Sequence, residues 1–140
     1  MFDFSKAWHI AETADVTTAS DSVVLYSISY LPTTENKQQA VLYLQQHKNC
    51  CTLDDTPCGK ALIALNLPND SHQPNEEVMQ IWALASKRFI QAASGNITAF
   101  VTGADKRSTF VSVELPLLLQ NDKIYKINGQ DKFIFAKQFA

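Results

Sequence analysis

The sequence has little that would support a disulfide framework, a metal site or a membrane span. Its only cysteines are Cys50, Cys51 and Cys58, and an odd, tightly clustered set does not form the framework of a small secreted protein. The three histidines show no ligand spacing with them, so we expect free, structural cysteines and no bound metal. No apolar run approaches the roughly 20 residues that a membrane span requires.

Excess charge is lacking as well. The 140 residues carry a formal net charge of −2, with acidic and basic residues interspersed. Without a basic stripe no nucleic-acid surface is expected, and without an acidic block no disordered acidic tail. The N-terminus has no continuous apolar segment, so we do not expect a signal peptide. Length and a hydrophobic content of 46% predict one soluble globular domain over residues 1–140.

Hydrophobic periodicity and punctuation residues divide the chain into elements. Helices are predicted at 35–47, from 57 to about 66, and at 76–93. Strands are predicted at 22–28 and 96–102, with an Asn128-Gly129 hairpin within 123–137. Polar, proline-containing segments at 31–39 and 67–77 are expected to be loops. A mostly helical first half and a mostly strand second half predict an α+β or α/β domain with a small sheet.

Several residues are typical of element ends or faces. Thr56 or Asp55 is expected to cap the helix that begins at Pro57, since proline is tolerated at the first helical position. Asn75 is expected to cap the third helix, and Gly95 to end it in a left-handed conformation. The apolar side of the first helix is predicted to consist of Ala40, Val41 and Leu44.

The segment 107–116, RSTFVSVELP, contains one glutamate, Glu114, among apolar residues. Alone, the segment is typical of an amphipathic strand with an outward charge. A carboxylate held in an apolar setting could instead be catalytic, because water exclusion strengthens its electrostatic effect. Phe110 and Glu114 share one side whether the segment is strand or helix.

Four segments in this order resemble the ADP-ribosyl cyclase family. They are VVLYS (23–27), CTLDDTPCGKAL (51–62), IWALASKRFIQAASGNITAFV (81–101) and STFVSVELP (108–116). The resemblance covers about residues 22–127. It implies a small, mostly parallel sheet with flanking helices. It also implies cleavage of the nicotinamide–ribose bond of NAD or NADP, to ADP-ribose by hydrolysis or cyclic ADP-ribose by internal attack, with no cofactor.

By this resemblance, the reacting groups lie in two segments: 107–116, which is strand or helix, and the helix predicted at 76–93. Glu114 matches the family's catalytic glutamate, where a carboxylate stabilises the oxocarbenium-like state formed as nicotinamide leaves. Trp82 matches a tryptophan that stacks on nicotinamide, and its alternative is a core tryptophan of an amphipathic helix. Ser86 lies one turn further along, where it would reach ribose or phosphate; its alternative is a bond to its own backbone.

A second group is implied to bind substrate from the opposite side. Tyr26 stands where the family has a second tryptophan, and Ser27 matches the serine that follows it. Asp54 and Asp55 replace a Glu-Asp pair, with Asp54 one methylene shorter than the glutamate. Acidic residues before a helix that starts with proline are equally typical of helix caps, so both interpretations stay open.

A third group matches the family's Ser-Thr-Phe, which is implied to contact phosphate and ribose. Ser108, Thr109 and Phe110 hold these positions, where hydroxyl and backbone N–H groups after a turn can bind phosphate without a cation. The alternative is an ordinary turn leading into a strand. Ser94 stands near a position that carries a disulfide cysteine in animal members, whose bridges are absent here.

The absence of bridges is consistent with action in a reducing cytoplasm. It suits a bacterial NAD-depleting toxin domain that is secreted or delivered into a target cell as part of a larger toxin, with a cognate immunity protein as partner. Two alternatives of other classes remain: a non-catalytic interaction or immunity-type domain, and a protein ADP-ribosyltransferase.

Overall fold

The computed structural model of the chain describes residues 3–68 and 75–140. The helices are α1 (Ser5–Thr13), α2 (Glu35–Gln46), α3 (Pro57–Ala64), α4 (Glu76–Ala92), α5 (Leu115–Gln120) and α6 (Lys132–Ala136). The strands are β1 (Val24–Tyr26), β2 (Gly95–Phe100), β3 (Ile124–Ile127) and β4 (Gln130–Asp131). Single turns of 3-10 helix occupy Leu53–Asp55 and Lys137–Phe139, and a π-helical turn occupies Phe110–Glu114. The centre of the loop predicted at 67–77 lies outside the described residues.

The four strands form one sheet in the order β1-β2-β3-β4. β2 pairs in parallel with β1 and with β3, and β4 returns antiparallel to β3. The predicted class, an α/β domain with a small and mostly parallel sheet, is confirmed. The strand predicted at 22–28 is shorter than expected, because Val23 makes only a single bridge, to Cys51.

The hairpin predicted at Asn128-Gly129 is confirmed between β3 and β4. Both residues have positive φ, 55° and 74°, as the tight turn that matches strand twist requires. Asn128 has a second structural role, because its side chain exchanges two hydrogen bonds with the backbone of Ala99, at 2.7 and 2.8 Å. Those bonds continue the ladder of β2 beyond the end of β3.

The helix predicted at 76–93 is confirmed as α4. Asn75 caps it as expected, since its side chain accepts a hydrogen bond from the backbone N–H of Val78. Gly95 was wrongly predicted to end this helix, which already stops at Ala92. Gly95 instead opens β2 with φ +82°, where a Cβ atom would collide with the side chain of Asp21.

The helices predicted at 35–47 and from 57 are also confirmed. Thr56 caps α3, its hydroxyl accepting from the backbone N–H of Gly59 at 3.1 Å. The apolar side predicted for α2 is wrong at Val41, which is 45% exposed. The buried face of α2 consists of Ala40 and Asn36, whose amide donates to the carbonyl oxygens at the ends of β1 and β2.

A helix occupies the region where a mostly strand second half was predicted. The π turn Phe110–Glu114 runs directly into α5, joined by a bond from the N–H of Leu115 to the carbonyl oxygen of Phe110. The turn-to-strand alternative for this segment is therefore wrong. Phe110 is only 1% exposed and Glu114 is partly buried, so both face inward as their spacing predicts.

The hydrophobic core lies between the sheet and the helices α1, α3, α4 and α5. Its largest fully buried side chains include Phe89, Phe110, Leu62, Ile81, Ile90, Ile97 and Leu118. Burial of this kind contributes about 25 cal/mol per Å² of apolar surface. Among the helices of the described residues, none is long and apolar enough to cross a bilayer.

Candidate active site

A cleft opens at the carboxyl end of β1, where ligands of open α/β sheets commonly bind. It consists of a small hollow of about 200 Å³ and a large hollow of about 550 Å³, which meet at Leu53 and Ser86. The other residues of the small hollow are Val24, Leu25, Tyr26, Thr52, Asp54, Phe89 and Glu114. The other residues of the large hollow are Glu76, Val78, Met79, Gln80, Trp82, Ala83, Thr109 and Val113.

Ser86 and Glu114 form a hydrogen-bonded pair where the two hollows meet. The hydroxyl of Ser86 donates to Oε2 of Glu114 at 2.7 Å. Ser86 is 8% exposed on α4 and Glu114 ends the π turn packed against that helix. The bond occupies one carboxylate oxygen, and Oε1 has no hydrogen-bond partner among the described residues.

Burial raises the pKa of Glu114 above its ordinary value, and the hydrogen bond from Ser86 opposes that rise. Burial disfavours the charged form, whereas a donor to the carboxylate favours it. A carboxyl group with a raised pKa, in a cleft and beside a hydroxyl donor, has the character of a catalytic group.

Trp82 contributes an aromatic wall to the large hollow. It lies one helical turn before Ser86 on α4, is partly buried, and packs on the edge of the core. The two interpretations of this tryptophan, core residue and ligand platform, are therefore compatible. Together, α4 and the π turn form what we call the helical wall of the cleft.

The opposite side, the strand wall, consists of the end of β1 and the 3-10 turn Leu53–Asp55. Burial, followed by the charges of Asp54 and Glu114, raises the pKa of Tyr26. Partial loss of hydration, followed by the charge of Asp55, raises the pKa of Asp54. The charge of Lys37 lowers it. Tyr26, Asp54 and Glu114 line the same small hollow.

Asp55 and Ser27, two of the residues predicted to bind substrate from this side, make bonds within the fold. Asp55 accepts bonds from the backbone N–H and the hydroxyl of Thr52, at 2.9 and 3.2 Å, and so completes a capping box. Ser27 is 5% exposed, and its backbone bonds Phe100 and Asn36. Neither side chain lines a hollow described here.

Of the Ser-Thr-Phe residues, the structure brings only Thr109 to the cleft, where it lines the large hollow. Ser108 is fully buried, and its hydroxyl accepts from the N–H of Val111 at 3.2 Å, which fixes the start of the helix. Phe110 belongs to the core and contacts Phe139 edge to face. Both therefore support the cleft rather than line it.

Several lining residues, Glu76 among them, were not predicted as site residues from the sequence. Leu53 contributes to both hollows, and Met79 and Val113 line the large one. Helical spacing could have found Met79, because it precedes Trp82 by three residues on the same face of α4. No local signal marks Leu53, whose position depends on the packing of a single turn.

Among residues 3–68 and 75–140, no group of three or more histidine, cysteine or acidic side chains is arranged to hold a metal ion. The three cysteines are free. The arrangement offers three carboxylates, the hydroxyl groups of two threonines and a serine, a tyrosine and an indole around one largely apolar cleft. These groups can stabilise a developing cation and hold a polyhydroxylated ligand.

Comparison with known proteins identifies the fold. No protein-family model matches the chain, and no curated protein sequence matches it. Porcine CD38, solved with a covalent intermediate (ribo-F-ribose-5'-phosphate), matches with a TM-score of 0.61 and 25% identity over 87% of this chain and 65% of that chain. Aplysia cyclase, solved with substrate NGD and product cGDPR, matches with a TM-score of 0.56 and 18% identity over 90% and 63%.

The chain thus has the ADP-ribosyl cyclase fold, as the sequence resemblance predicts. A further CD38 structure, described as evidence for a conformationally flexible covalent enzyme–substrate complex, matches with a TM-score of 0.57 and 15% identity over 94% of this chain and 81% of that chain. The chain spans less than two thirds of the length of the first two structures.

Proposed function

We propose that this chain is a glycohydrolase that cleaves the nicotinamide–ribose bond of NAD or NADP to release nicotinamide and ADP-ribose or its 2'-phosphate. One observation carries the proposal: a partly buried carboxylate, Glu114, held by Ser86 where two largely apolar hollows meet. The fold supports the same conclusion, because its solved neighbours act on related nucleotides.

The reaction begins with departure of nicotinamide. The C1′–N bond breaks, its electron pair goes to the pyridinium nitrogen, and neutral nicotinamide leaves an oxocarbenium-like ribose. Glu114 stabilises that cation, and preorganised charge of this kind is worth about 3–4 kcal/mol per contact. Water then adds to C1′ and loses one proton to solvent, which gives ADP-ribose; adenine addition instead would give the cyclic product.

Ser86 and Trp82 have supporting roles in this scheme. The hydrogen bond from Ser86 fixes one oxygen of Glu114 and leaves Oε1 for a ribose hydroxyl. The indole of Trp82 provides a flat apolar surface in the adjoining large hollow. A cationic pyridinium ring on such a surface gains about 1–3 kcal/mol from stacking and cation–π attraction.

Product analysis tests the proposal. The purified chain is incubated with NAD, and nicotinamide, ADP-ribose and cyclic ADP-ribose are separated by chromatography. We expect nicotinamide and ADP-ribose in equal amounts, with cyclic product a minor fraction. Absence of nicotinamide release would instead support an interaction domain. Transfer of label from adenine-labelled NAD to protein would indicate an ADP-ribosyltransferase.

The biological setting follows as part of the proposal. Free cysteines suit a reducing cytoplasm, and loss of NAD there would poison a target cell. We therefore propose a toxin domain with a cognate immunity protein. Expression in the bacterial cytoplasm should lower cellular NAD and arrest growth, and the Glu114→Gln variant should do neither.

A further inference from the structure

The charged side chains that line the cleft are all acidic among the described residues. Its lining contains three carboxylates: Glu76 in the large hollow, and Asp54 and Glu114 in the small one. Among the described residues, no lysine or arginine lines either hollow. The segments outside the described residues, 1–2 and 69–74, contain no lysine or arginine either.

Two arginines on elements next to the cleft have their donors occupied elsewhere. Arg88 of α4 donates to the carbonyl oxygens of Ala11 and Ala14, at 2.6 and 2.8 Å. Arg107, two residues before Thr109, makes a two-point ion pair with Asp105 and lies over the ring of Tyr30. Neither guanidinium is arranged to receive a phosphate in the cleft.

The charge of Lys37 opposes the rise in the pKa of Asp54 at the strand wall. The side chain of Lys37 is exposed on α2. One lysine charge near Asp54 leaves the cleft, with its three carboxylates, negatively charged. The lining therefore favours a cationic group and disfavours an extra dianion.

NAD and NADP differ in the charge of their adenosine ends. The pyridinium end of both substrates is a cation that the carboxylates attract. NADP adds a 2′-phosphate at the adenosine end, which carries a charge of about −1.5 to −2 at neutral pH. The large hollow, about 550 Å³ against about 200 Å³ for the small one, has room for more of the dinucleotide. With nicotinamide ribose at Glu114, the adenosine end is therefore placed along the large hollow, toward Glu76.

We propose that this cleft selects unphosphorylated NAD and discriminates against NADP, with Glu76 as a specificity-determining residue. The inference rests on the proposed glycohydrolase function and names its substrate. Repulsion between a phosphate and rim carboxylates is screened by salt, with a Debye length of about 10 Å at 0.1 M. The preference should therefore be largest at low ionic strength.

The test compares kcat/KM for NAD and NADP at low salt. We expect the wild-type chain to prefer NAD by about 10-fold or more at low salt, because like charges brought together in a binding site weaken binding by at least that factor. Glu76→Lys should raise kcat/KM for NADP and bring the ratio several-fold closer to one. Asp122→Lys is the matched control, since it makes the same charge change beside the amino end of β3, and it should leave the ratio unchanged.

Equal or better use of NADP by the wild-type chain would overturn this inference and leave the proposed function intact. So would an equal effect of Glu76→Lys and Asp122→Lys. Cleavage of neither nucleotide would overturn the proposed function, and the selectivity would then be decided by calorimetry. There, tighter binding of ADP-ribose than of its 2′-phosphate supports the inference, and equal binding refutes it.

Discussion

The two walls of the cleft each present a carboxylate, but in different environments. On the helical wall, Glu114 is partly buried, is held by Ser86 and projects from a π turn packed on α4. On the strand wall, Asp54 is partly exposed on a single 3-10 turn, and its neighbour Asp55 is used in a cap. The comparison shows that environment, rather than residue type, separates a candidate catalytic group from a rim charge.

The largest expected difference between the walls is in turnover. Glu114→Gln keeps the shape and can still accept from Ser86, so we expect normal folding and a loss of about 10²–10³ in kcat. Asp54→Asn removes the charge on the other wall, and we expect a change below about 10-fold. Steady-state rates of nicotinamide release, with thermal unfolding as the folding control, measure both. Equal losses of kcat in Glu114→Gln and Asp54→Asn would contradict the distinction between a catalytic carboxylate and a rim charge.

The second expected effect concerns the aromatic surface of the helical wall. Trp82→Ala should raise KM for NAD by about 5- to 150-fold through lost stacking. It should also cost about 2–4 kcal/mol of unfolding free energy, because the indole packs on the core. Trp82→Phe, which keeps a flat ring, should recover most of the KM. An unchanged KM in the alanine variant would show that the indole is only a core residue.

A third prediction uses pH to separate positioning from bulk structure. Activity requires ionised Glu114, whose pKa is raised, so activity should rise with pH through that pKa and be lost on its acid side. Ser86→Ala removes a donor to the charged form, which raises the pKa further. The acid limb of kcat should therefore move to higher pH, with losses that shrink as pH increases. A uniform loss at every pH would argue for a structural role alone.

The smallest expected effect is on the strand wall. Asp55→Ala should lower the free energy of unfolding by about 1 kcal/mol through loss of the capping box. Activity well below the unfolding temperature should be unchanged. Denaturant unfolding measures the stability, with Asp54→Ala, which removes no cap, as the control. A raised KM for NAD in Asp55→Ala, with the free energy of unfolding unchanged, would instead indicate that Asp55 binds substrate.

The sequence predicted the long elements well and the segment 107–116 poorly. α4 combines 17 residues, an asparagine cap and a continuous apolar face, so local and tertiary preferences agree. In the segment FVSVE, alternation and β-branched valines favour a strand, but packing of Phe110 and Glu114 on α4 produces a π turn. Pro116 is tolerated because it falls in the first turn of α5.

The same contrast applies to the cleft. The spacing of Trp82 and Ser86 and the position of Glu114 were predicted from the resemblance, and the structure brings all three to one wall. The motif letters could not reveal that Phe110 fills the core or that the hydroxyl of Ser108 accepts from the backbone N–H of Val111, and they left Asp55 open between a cap and a substrate contact. Those outcomes depend on which side chain the surrounding elements cover, and adjacent residues in a motif point in different directions.

The most direct test of the central claim is release of nicotinamide from NAD at neutral pH by the purified wild-type chain, with Glu114→Gln at the same concentration as the blank. Glu114 in its Ser86-bound setting should give multiple turnovers per molecule, with release at least about 10²-fold above the blank. Release by the wild-type chain no faster than by the variant, with both folded, would contradict it.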